Sequence, residues 1–389
     1  MEKRHFWLEK IENAWKSRSI VWLSGVRRTG KTWLSQSLND AEYFDCELPS
    51  VRRQLEDSES FLKGLKVKST IVLDEIHRLD NPSELLKIAA DHFPSIRVLA
   101  TGSSTLGASS KFKDTLTGRK HEIWLTPIAL NDLTDFGKTN LQHRLYFGGL
   151  PPFFLQEELP ERDFQEWMDA YWSKDVLELF RLERKQSFLK FTELLFIQSG
   201  GIFEATRFSK PCEVSRPTIS NYLSVLESTF VANVVKPFSS RRSNEIISAP
   251  KVYAMDTGFV AYYKGWHIAR QDDFGYLWEH FVLNELYANL QSRNINYWRD
   301  KQGHEIDFVL AGREKVPVAV ECKWSANNVD FSNFNSFRQH YPAGANYIVC
   351  QDVSKPIVRT HGEIEVTIIG LAELIRQLSQ RRAAHGTDP

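Results

Sequence analysis

The sequence predicts an α/β protein in which a parallel sheet is followed by a helical region and then by a second α/β domain. Three observations lead to this prediction. Apolar strands alternate with helical stretches through the first 140 residues, a mainly helical stretch follows, and two strands within residues 304–324 carry charged residues among apolar ones. Strands that alternate with helices favour a parallel sheet. A chain of 389 residues also exceeds what one hydrophobic core usually contains.

The composition is that of a globular protein with no overall attraction to nucleic acid or membrane. The chain is 42% hydrophobic and 25% charged, and its formal net charge is zero. No apolar run approaches the ~18 residues of a membrane span, and the N-terminus lacks the apolar core of a signal peptide. The spacing of the cysteines favours a reducing, cytoplasmic location over a zinc site or a disulfide framework. These cysteines are Cys46, Cys212, Cys322 and Cys350.

Residues 20–32, IVWLSGVRRTGKT, predict a phosphate-binding loop between a buried strand and a helix. The loop matches G-x-x-x-x-G-K-[ST] in the strand–loop–helix context that this pattern requires, so a chance match in a glycine-rich turn is the weaker alternative. Lys31 is expected to reach the β- and γ-phosphates of ATP, and Thr32 to place a hydroxyl on Mg²⁺. The predicted nucleotide-binding residues of the loop are Gly25, Arg28, Thr29, Gly30, Lys31 and Thr32.

A second strand, residues 70–73, ends in the acid pair Asp74 and Glu75. An acid at the end of such a strand can hold the magnesium shell beside Thr32, and its neighbour can orient or deprotonate the attacking water. The alternative is that the pair caps a helix N-terminus. With a phosphate-binding loop upstream, we expect the catalytic role, with Asp74 on Mg²⁺ and Glu75 as the base.

Two further segments of the first part carry candidate residues. The strand at 97–100 is followed by the hydroxyls of Thr101, Ser103 and Ser104, and we expect Ser103 to sense the γ-phosphate, with a helix cap as the alternative. Arg119 precedes the strand HEIWL. It is expected to act as an arginine finger in a neighbouring subunit, and the alternative is a surface arginine or a local salt bridge.

These motifs together resemble a known family. GVRRTGKT, TIVLDEIHRL, ATGSS and LTGR followed by LTP look like the AAA-type P-loop ATPases of the AAA_14 group, which carry a C-terminal region called DUF4143. YFGGLPPFF, YWSKDVLELF, TISNYLSVLE, PKVYAMDTGF and the stretch from WEHFVLNELY to VECKWS resemble that second region. The resemblance implies an ATPase whose parallel sheet has an extra strand between the phosphate-loop strand and the Asp-Glu strand.

The middle of the chain predicts a winged helix-turn-helix region. Ser215 is expected to cap a helix with Pro217 in its first turn and with Ile219, Tyr222, Leu223 and Leu226 on its apolar side. Thr218, Ser220 and Asn221 would then face outward, as in a recognition helix. Residues 181–251 hold eleven Lys/Arg and six Asp/Glu. This local excess of positive charge favours DNA as the partner, and the alternative is a connector that never touches DNA.

The C-terminal part places three acids and a lysine in a recognisable order. Glu279 lies on a helix, Asp307 on a strand, and Glu321 and Lys323 on the next strand. This order resembles the PD-(D/E)xK nuclease superfamily, which implies that Glu279, Asp307 and Glu321 bind Mg²⁺ or Mn²⁺, with the Cys322 carbonyl as a further ligand. The metal would lower the pKa of a bound water, and Lys323 would position or activate it. The alternative is a solvated ladder of charges on an exposed strand.

The expected organisation is an AAA-like ATPase domain at 1–140, a helical and winged-helix region at 141–265, a nuclease-like domain at 266–379, and a flexible tail at 380–389. The expected function is ATP hydrolysis coupled to DNA binding or remodelling by a homo-oligomer that makes no use of a membrane. Metal-dependent DNA cleavage by the C-terminal domain is an additional possibility. The alternatives are a nucleotide-gated DNA-binding regulator that does not cleave, and a signalling ATPase that acts on a protein partner.

Overall fold

A computed structural model describes residues 3–102, 115–158, 161–180, 182, 184–239, 249–266, 270–311, 316–327 and 329–384. The chain divides into two compact units that each contain more than one segment. The first unit comprises Met1–Asn140, Leu150–Glu183 and Ser224–Val231. The second comprises Leu141–Gly149, Arg184–Leu223 and Ala232–Pro389.

The first unit is built on a five-stranded parallel sheet. Its strands are β1 (Ile20–Ser24), β2 (Ala41–Asp45), β3 (Thr70–Asp74), β4 (Arg97–Thr101) and β5 (Lys120–Trp124). They lie in the order β2-β3-β4-β1-β5, and every adjacent pair is parallel. The strand β4 therefore separates the phosphate-loop strand β1 from the Asp-Glu strand β3, which confirms the predicted extra strand.

Helices of the first unit connect and cover these strands. They are α1 (His5–Ala14), α2 (Lys31–Gln36), α3 (Pro49–Gln54), α4 (Ser58–Gly64), α5 (Pro82–His92), α6 (Leu130–Asp135), α8 (Pro151–Phe154), α9 (Glu161–Tyr171) and α10 (Leu177–Phe180). A 3₁₀ turn spans Ile76–Arg78, and a π-helical turn spans Trp172–Val176. All five residues of β1 are buried, as expected for a central strand with helices on both faces.

The second unit combines helices with a nine-stranded mixed sheet. Its helices are α7 (Leu141–Phe147), α11 (Lys185–Ile197), α12 (Ala205–Ser209), α13 (Arg216–Ser228, whose last residues group with the first unit), α14 (Thr257–Tyr263), α15 (Gln271–Leu290), α16 (Ser332–His340) and α17 (Leu371–Ala384). Its strands are β6 (Gly201–Ile202), β7 (Ala232–Pro237), β8 (Lys251–Ala254), β9 (Ile295–Arg299), β10 (Glu305–Ala311), β11 (Pro317–Lys323), β12 (Asn346–Cys350), β13 (Ile357–His361) and β14 (Ile364–Gly370).

The sheet of the second unit has the strand order β13-β14-β12-β11-β10-β9-β7-β8-β6. Strands β9, β10 and β11 are antiparallel neighbours, whereas β11 and β12 are parallel. The strand β7 pairs with β9 through Lys236 and Pro237, opposite Asn296 and Tyr297. The middle of the chain and its C-terminal part therefore share one hydrogen-bonded sheet, a continuity that reading each segment separately does not predict.

Two glycine-containing stretches of the second unit meet at a buried aspartate. Asp256 accepts hydrogen bonds from the main-chain N–H of Gly149 at 2.5 Å and of Gly258 at 3.0 Å. A Cβ atom on Gly148 would lie 2.0 Å from the Asp256 carboxylate. Arg144 donates a 3.0 Å hydrogen bond to the Thr257 hydroxyl beside it. The glycines of YFGGLPPFF and the DTG of PKVYAMDTGF thus have a packing role.

Further local features occur in both units. Residues 49–64 form the two helices α3 and α4, and Asp57 caps the second by accepting from the Ser60 N–H at 3.0 Å. All four cysteines are free and buried. In the described part of the chain, no helix is both long enough and apolar enough to cross a bilayer.

Candidate functional site

The phosphate loop follows β1 and depends on glycine at two positions. Gly25 has φ +152°, and a Cβ atom there would lie 2.4 Å from the carbonyl oxygen of Leu125. Gly30, the residue before α2, has φ +93°. Arg28 also adopts a left-handed conformation, with φ 65°. The loop therefore curls tightly over the end of β1, and side chains larger than hydrogen are excluded at Gly25 by packing and at Gly30 by backbone conformation.

The side chain of Lys31 folds back onto the main chain of the loop. Its Nζ donates to the carbonyls of Gly25 at 2.9 Å and Val26 at 3.2 Å. Burial lowers the pKa of Lys31, and the negative charges of Glu75 and Asp175 act in the opposite direction. The amine is thus a buried donor surrounded by acids, at the position where the sequence motif places a phosphate-binding lysine.

Two side chains from outside the motif donate hydrogen bonds to main-chain carbonyls of the loop. Arg4 is buried and donates a 3.0 Å hydrogen bond to the Thr29 carbonyl, while Asp132 neutralises its guanidinium at 2.6 Å. The indole of Trp167 donates to the Arg27 carbonyl at 3.3 Å. These side chains bind the carbonyl oxygens of the loop and so hold its main chain in one conformation. The carbonyl oxygens therefore cannot easily rotate to face a bound anion.

Asp74 is held on both of its oxygens at the end of β3. The hydroxyl of Tyr43 donates to Oδ2 at 2.5 Å, and the hydroxyl of Thr101 donates to Oδ1. Thr101 also accepts the main-chain N–H of Glu75 at 3.1 Å. Asp74 is 2% exposed, so its carboxylate is fixed by two neighbouring strands of the sheet rather than by a helix cap.

Glu75 projects from a strained position beside Lys31. Its φ is 52°, which is uncommon for a residue other than glycine. Its Oε2 lies 3.1 Å from Nδ1 of His77. Burial alone raises the pKa of Glu75, but the hydrogen bond from His77 and the charge of Lys31 outweigh it, and the pKa lies below its ordinary value. These contacts favour the ionised form of the carboxylate, which is the form a general base requires.

Other predicted residues of the first unit are placed as follows. Arg28 and Thr32 are exposed. Ser103 and Ser104 lie outside the described residues. Arg119 makes an ion pair with Asp91, with Nε 2.7 Å from Oδ1, and both side chains are about one-third exposed. The local salt bridge that the sequence left open as an alternative is thus present.

Helix α13 has the surface predicted for it. The Thr218 N–H donates to the Ser215 hydroxyl at 3.3 Å, which is the expected N-terminal cap. Ile219, Tyr222, Leu223 and Leu226 are all buried, and Ser220 and Asn221 are exposed. The predicted apolar and polar sides of this helix are confirmed.

A second charged site lies where β10 and β11 pair in the second unit. The register pairs Phe308 with Val320, and one further step places Asp307 opposite Glu321. Directly opposite residues of antiparallel strands share a face of the sheet. Asp307 also accepts the main-chain N–H of Cys322 at 2.8 Å.

Glu321 and Lys323 share that face, as alternation predicts. Nζ of Lys323 lies 3.4 Å from Oε2 of Glu321. Glu321 is 1% exposed, and its Oε1 is buried without a hydrogen-bond partner among the described residues. Asn333 is near enough to favour the ionised form of Glu321 but has no hydrogen-bond geometry to Oε1. An unpaired carboxylate oxygen in this position needs a hydrogen-bond donor or a cation.

The pKa values of the two facing acids are raised. Burial has the largest effect on Asp307, and the charge of Glu279 adds to it. Burial also raises the pKa of Glu321, with Asp307 as the second cause. Two carboxylates that repel each other in a buried place favour a bound proton or a bound cation.

Glu279 has two partners that the sequence did not predict. Its Oε1 accepts a 2.6 Å hydrogen bond from Tyr253 and lies 3.5 Å from Nζ of Lys251. Lys251, which is 5% exposed, also pairs with Glu305. Within the described ranges, no group of three or more His, Cys, Asp or Glu side chains is arranged to hold a metal ion. The ligand set of Glu279, Asp307 and Glu321 stays a prediction.

Comparison with known protein families identifies three regions. Residues 17–134 match the family of AAA domains called AAA_14, residues 138–268 match a domain of unknown function, DUF8612, and residues 274–367 match another, DUF4143. The chain therefore carries an AAA-type ATPase domain, and the predicted order of AAA_14 and DUF4143 is confirmed. The middle motifs that the resemblance assigned to DUF4143, from YFGGLPPFF to PKVYAMDTGF, belong instead to the region that matches DUF8612.

Individual relatives cover most of the chain but carry no known activity. An uncharacterized protein of Mycobacterium tuberculosis is 27% identical over 329 residues, which is 81% of this chain and 72% of the relative. An uncharacterized protein of Haemophilus influenzae is 22% identical over 367 residues, covering 85% and 90%.

Likenesses to solved structures are weak. A signal-transduction ATPase with a tetratricopeptide-repeat sensor from Pyrococcus horikoshii aligns with 73% of this chain at 10% identity and a TM-score of 0.28, and the alignment covers 45% of that protein. The Bacillus subtilis DNA clamp loader delta protein aligns with 72% of this chain at 12% identity and a TM-score of 0.26, covering 99% of that protein. TM-scores this low give no basis for transferring a function.

Sequence reasoning missed the residues that support the sites. Tyr43 and Arg4 contact predicted residues but belong to no quoted motif. His77 and Lys251 lie within TIVLDEIHRL and PKVYAMDTGF, but the sequence assigns them no role. A tyrosine on a strand, a histidine two residues after Glu75 and an arginine near the N-terminus have many ordinary explanations. Only pairing between strands and between distant segments reveals their partners, so no local sequence signal was available.

Proposed function

We propose that this protein hydrolyses ATP at the phosphate loop of its first unit. The observation that carries the proposal is the convergence of Lys31, Asp74 and Glu75 at the ends of β1 and β3, with Glu75 kept ionised by His77 and Lys31. Thr32 and Asp74 are the residues suited to hold Mg²⁺, whose chemistry is to neutralise the phosphate charge. Lys31 would bind the β- and γ-phosphates, and Glu75 would take a proton from the attacking water.

Two substitutions test this assignment. Lys31→Ala removes the amine that is expected to bind the β- and γ-phosphates and should abolish nucleotide binding or turnover. Glu75→Gln should still bind ATP but hydrolyse it poorly, because only water activation is lost. Lys63→Ala, on the exposed face of α4, is the matched control for removal of a lysine. A Glu75→Gln protein that turns over ATP at the parental rate contradicts the base assignment.

We also propose DNA as the macromolecular partner. The order α11-β6-α12-α13-β7-β8, with β8 paired to both β6 and β7, supports the predicted winged helix. Support for DNA comes from the exposed polar side of α13 and from the local excess of basic residues. The division into parts at 1–140, 141–265, 266–379 and 380–389, the homo-oligomeric state and the cytoplasmic location stay predictions.

A specific observation favours a second activity, metal-dependent DNA cleavage. The unpaired Oε1 of Glu321 faces the same side as Asp307 and Lys323. Asp307, Glu321 and the Cys322 carbonyl are oxygen ligands of the type that Mg²⁺ or Mn²⁺ takes, and such an ion would lower the pKa of a bound water. Lys323 would orient that water or stabilise the charge that develops on phosphorus.

Plasmid nicking in Mg²⁺ or Mn²⁺, with and without ATP, tests this activity. Cleavage by the parent and loss of cleavage in Glu321→Gln would support it, with the exposed Glu363→Gln as the control. DNA binding without nicking would favour the alternative of a nucleotide-gated regulator. ATP turnover that responds to neither duplex nor single-stranded DNA would favour a signalling ATPase that acts on a protein partner.

A further inference from the structure

Arg27 lies within the phosphate loop, but its guanidinium is poorly satisfied. Its Nη1 is 3.4 Å from Oδ2 of Asp175, a long contact through one nitrogen. Its Nε is buried and has no hydrogen-bond partner in the part of the chain that the structure describes. An arginine normally binds a carboxylate through two parallel N–H groups at 2.7–2.9 Å or so. The present pair is weaker than that, and the guanidinium retains capacity for a second oxyanion.

Asp175 belongs to the surroundings of the phosphate loop although it is distant in sequence. It lies in the π-helical turn Trp172–Val176 and is mostly buried. Its negative charge acts on the amine of Lys31, and the charge of Glu75 acts on Asp175 in turn. Trp167, one helix before it, donates to the Arg27 carbonyl. The segment 161–176 therefore reaches the loop at two points, at the main chain and at the side chain of Arg27.

A nucleotide on the loop would meet this carboxylate directly. The β- and γ-phosphates would approach Lys31, on whose amine the charge of Asp175 acts, so Asp175 would repel them. They also offer Arg27 several oxygens with the spacing of its two N–H groups, which is a stronger contact than the present one. The phosphates and the carboxylate thus compete for one guanidinium.

We propose that Asp175 restrains nucleotide binding by holding Arg27, and that the phosphates of ATP displace Asp175 from Arg27. The inference rests on nucleotide binding at the phosphate loop. Displacement leaves a mostly buried carboxylate without its cation, at a turn whose i→i+5 hydrogen bonding is uncommon and often associated with function. Occupancy of the loop by ATP is thereby communicated to the segment 172–180, which lies outside the region matching the AAA domain.

The first test measures affinity for a non-hydrolysable ATP analogue with Mg²⁺ by calorimetry. Asp175→Asn should bind the analogue about fivefold more tightly than the parent, which is the lower end of typical coupling between sites. The increase in affinity for ADP should be smaller. Asp169→Asn, an exposed aspartate of the same segment, is the control and should bind as the parent does. Unchanged or weaker binding by Asp175→Asn overturns the proposal.

A double substitution keeps the test informative if Asp175→Asn folds poorly. Arg27→Ala should weaken binding of the analogue, and the gain from Asp175→Asn should shrink in that background, because the shared guanidinium is gone. If the effects of the two substitutions on affinity are fully additive, the proposed displacement of Asp175 from Arg27 by the phosphates is wrong. Absence of any nucleotide binding by the parent would instead refute the ATPase proposal itself, so the two failures are distinguishable.

Hydrogen exchange gives an independent reading of the turn. Addition of the analogue should speed amide exchange in 172–180 of the parent, whereas Asp175→Asn should exchange faster there even without nucleotide. Slower exchange of this segment in the parent on nucleotide binding contradicts a release of Asp175.

Discussion

The phenol of Tyr43, on β2, donates a 2.5 Å hydrogen bond to Oδ2 of Asp74 at the end of β3. Because Thr101 binds the other oxygen, Asp74 is oriented from both neighbouring strands. Supporting groups of this kind usually contribute 10- to 100-fold or so to metal affinity or activity. The burial of the phenol and the charge it faces raise the pKa of Tyr43 well above its ordinary value, so it acts only as a donor.

Tyr43→Phe should therefore lower ATP turnover about tenfold and raise the Mg²⁺ concentration needed for half-maximal rate, while Asp74 stays in place. The measurement is turnover against Mg²⁺ at saturating ATP. Tyr347→Phe removes a comparable hydroxyl, bound to Gln377 at 3.0 Å, and serves as the control. An unchanged Mg²⁺ dependence in Tyr43→Phe would show that Asp74 needs no support from β2.

Arg119 can be tested in trans by mixing inactive variants. If it acts on the nucleotide of a neighbouring subunit, Arg119→Ala and Lys31→Ala should each be inactive alone and should regain part of the turnover when mixed, because one interface then pairs an intact loop with an intact arginine. Co-assembly is checked by mass measurement.

The ion pair of Arg119 with Asp91 supplies the control for this experiment. Asp91→Asn should keep ATP turnover near the parental value if Arg119 acts in trans. Equal losses in Asp91→Asn and Arg119→Ala, without recovery on mixing, would show that the arginine serves only its local ion pair.

The C-terminal site predicts different outcomes for its acids. Asp307→Ala and Glu321→Ala should each abolish binding of Mn²⁺ to the second unit in calorimetry, and Lys323→Ala should preserve it. Glu279→Gln should also preserve it, because Tyr253 and Lys251 already bind that carboxylate. Loss of Mn²⁺ binding in Glu279→Gln would restore the three-acid ligand set that the sequence predicts.

Lys251 should be important for stability. It is buried between Glu279 and Glu305, and its removal leaves their charges uncompensated near Asp307. Lys251→Met should lower the free energy of unfolding by about 3–5 kcal/mol, the usual cost of breaking a buried pair from one side. Denaturant unfolding measures the loss. Adding Glu279→Gln should recover part of it, and a double variant no more stable than the single one would argue against this account.

His280 is a buried histidine of the second unit whose contribution to stability depends on pH. Its Nε2 lies 2.6 Å from the Ser199 hydroxyl, which accepts the Ala254 N–H, so Nδ1 carries the proton and donates to the Tyr276 carbonyl at 2.9 Å. Burial lowers the pKa of His280 to about 4, and the positive charges of Lys264 and Lys251 add to this. The ring is therefore neutral in the folded protein.

The unfolded chain takes up this proton near its ordinary pKa of 6.5, the folded protein only near 4. Between these values the unfolded state binds more protons at this ring, so the contribution of His280 to stability falls as pH drops from about 6.5 and levels off below about 4, by at most ~3 kcal/mol. The raised pKa values of Asp307 and Glu321 act in the opposite direction over part of this range. Denaturant midpoints between pH 7.5 and pH 5 measure the slope of stability against pH. His280→Gln should make this slope less positive, and equal slopes in parent and variant would exclude a contribution from His280.

Motif residues and alternation predicted much of both sites. The position of β4 between β1 and β3, the burial of the apolar side of α13, and the shared face of Glu321 and Lys323 follow from period, spacing and family resemblance. The supports of the sites do not, because Tyr43 on Asp74, Arg4 on Thr29 and Lys251 on Glu279 join residues whose sequence separation carries no signal. The partner of Glu279 could not be predicted for the same reason, since Lys251 comes from a strand of the preceding region.

The pairing of β7 with β9 has a consequence for how this architecture can be inherited. The DUF8612 and DUF4143 regions adjoin near residue 270, but the ladder through Lys236 and Asn296 crosses that boundary. A gene fusion that exchanged one region alone would leave the edge of β9 unpaired, and an unpaired strand edge promotes aggregation. The two regions are therefore expected to travel together between proteins. The ATPase region should travel with them, because residues 150–183 and 224–231 of the DUF8612 region belong to the first unit.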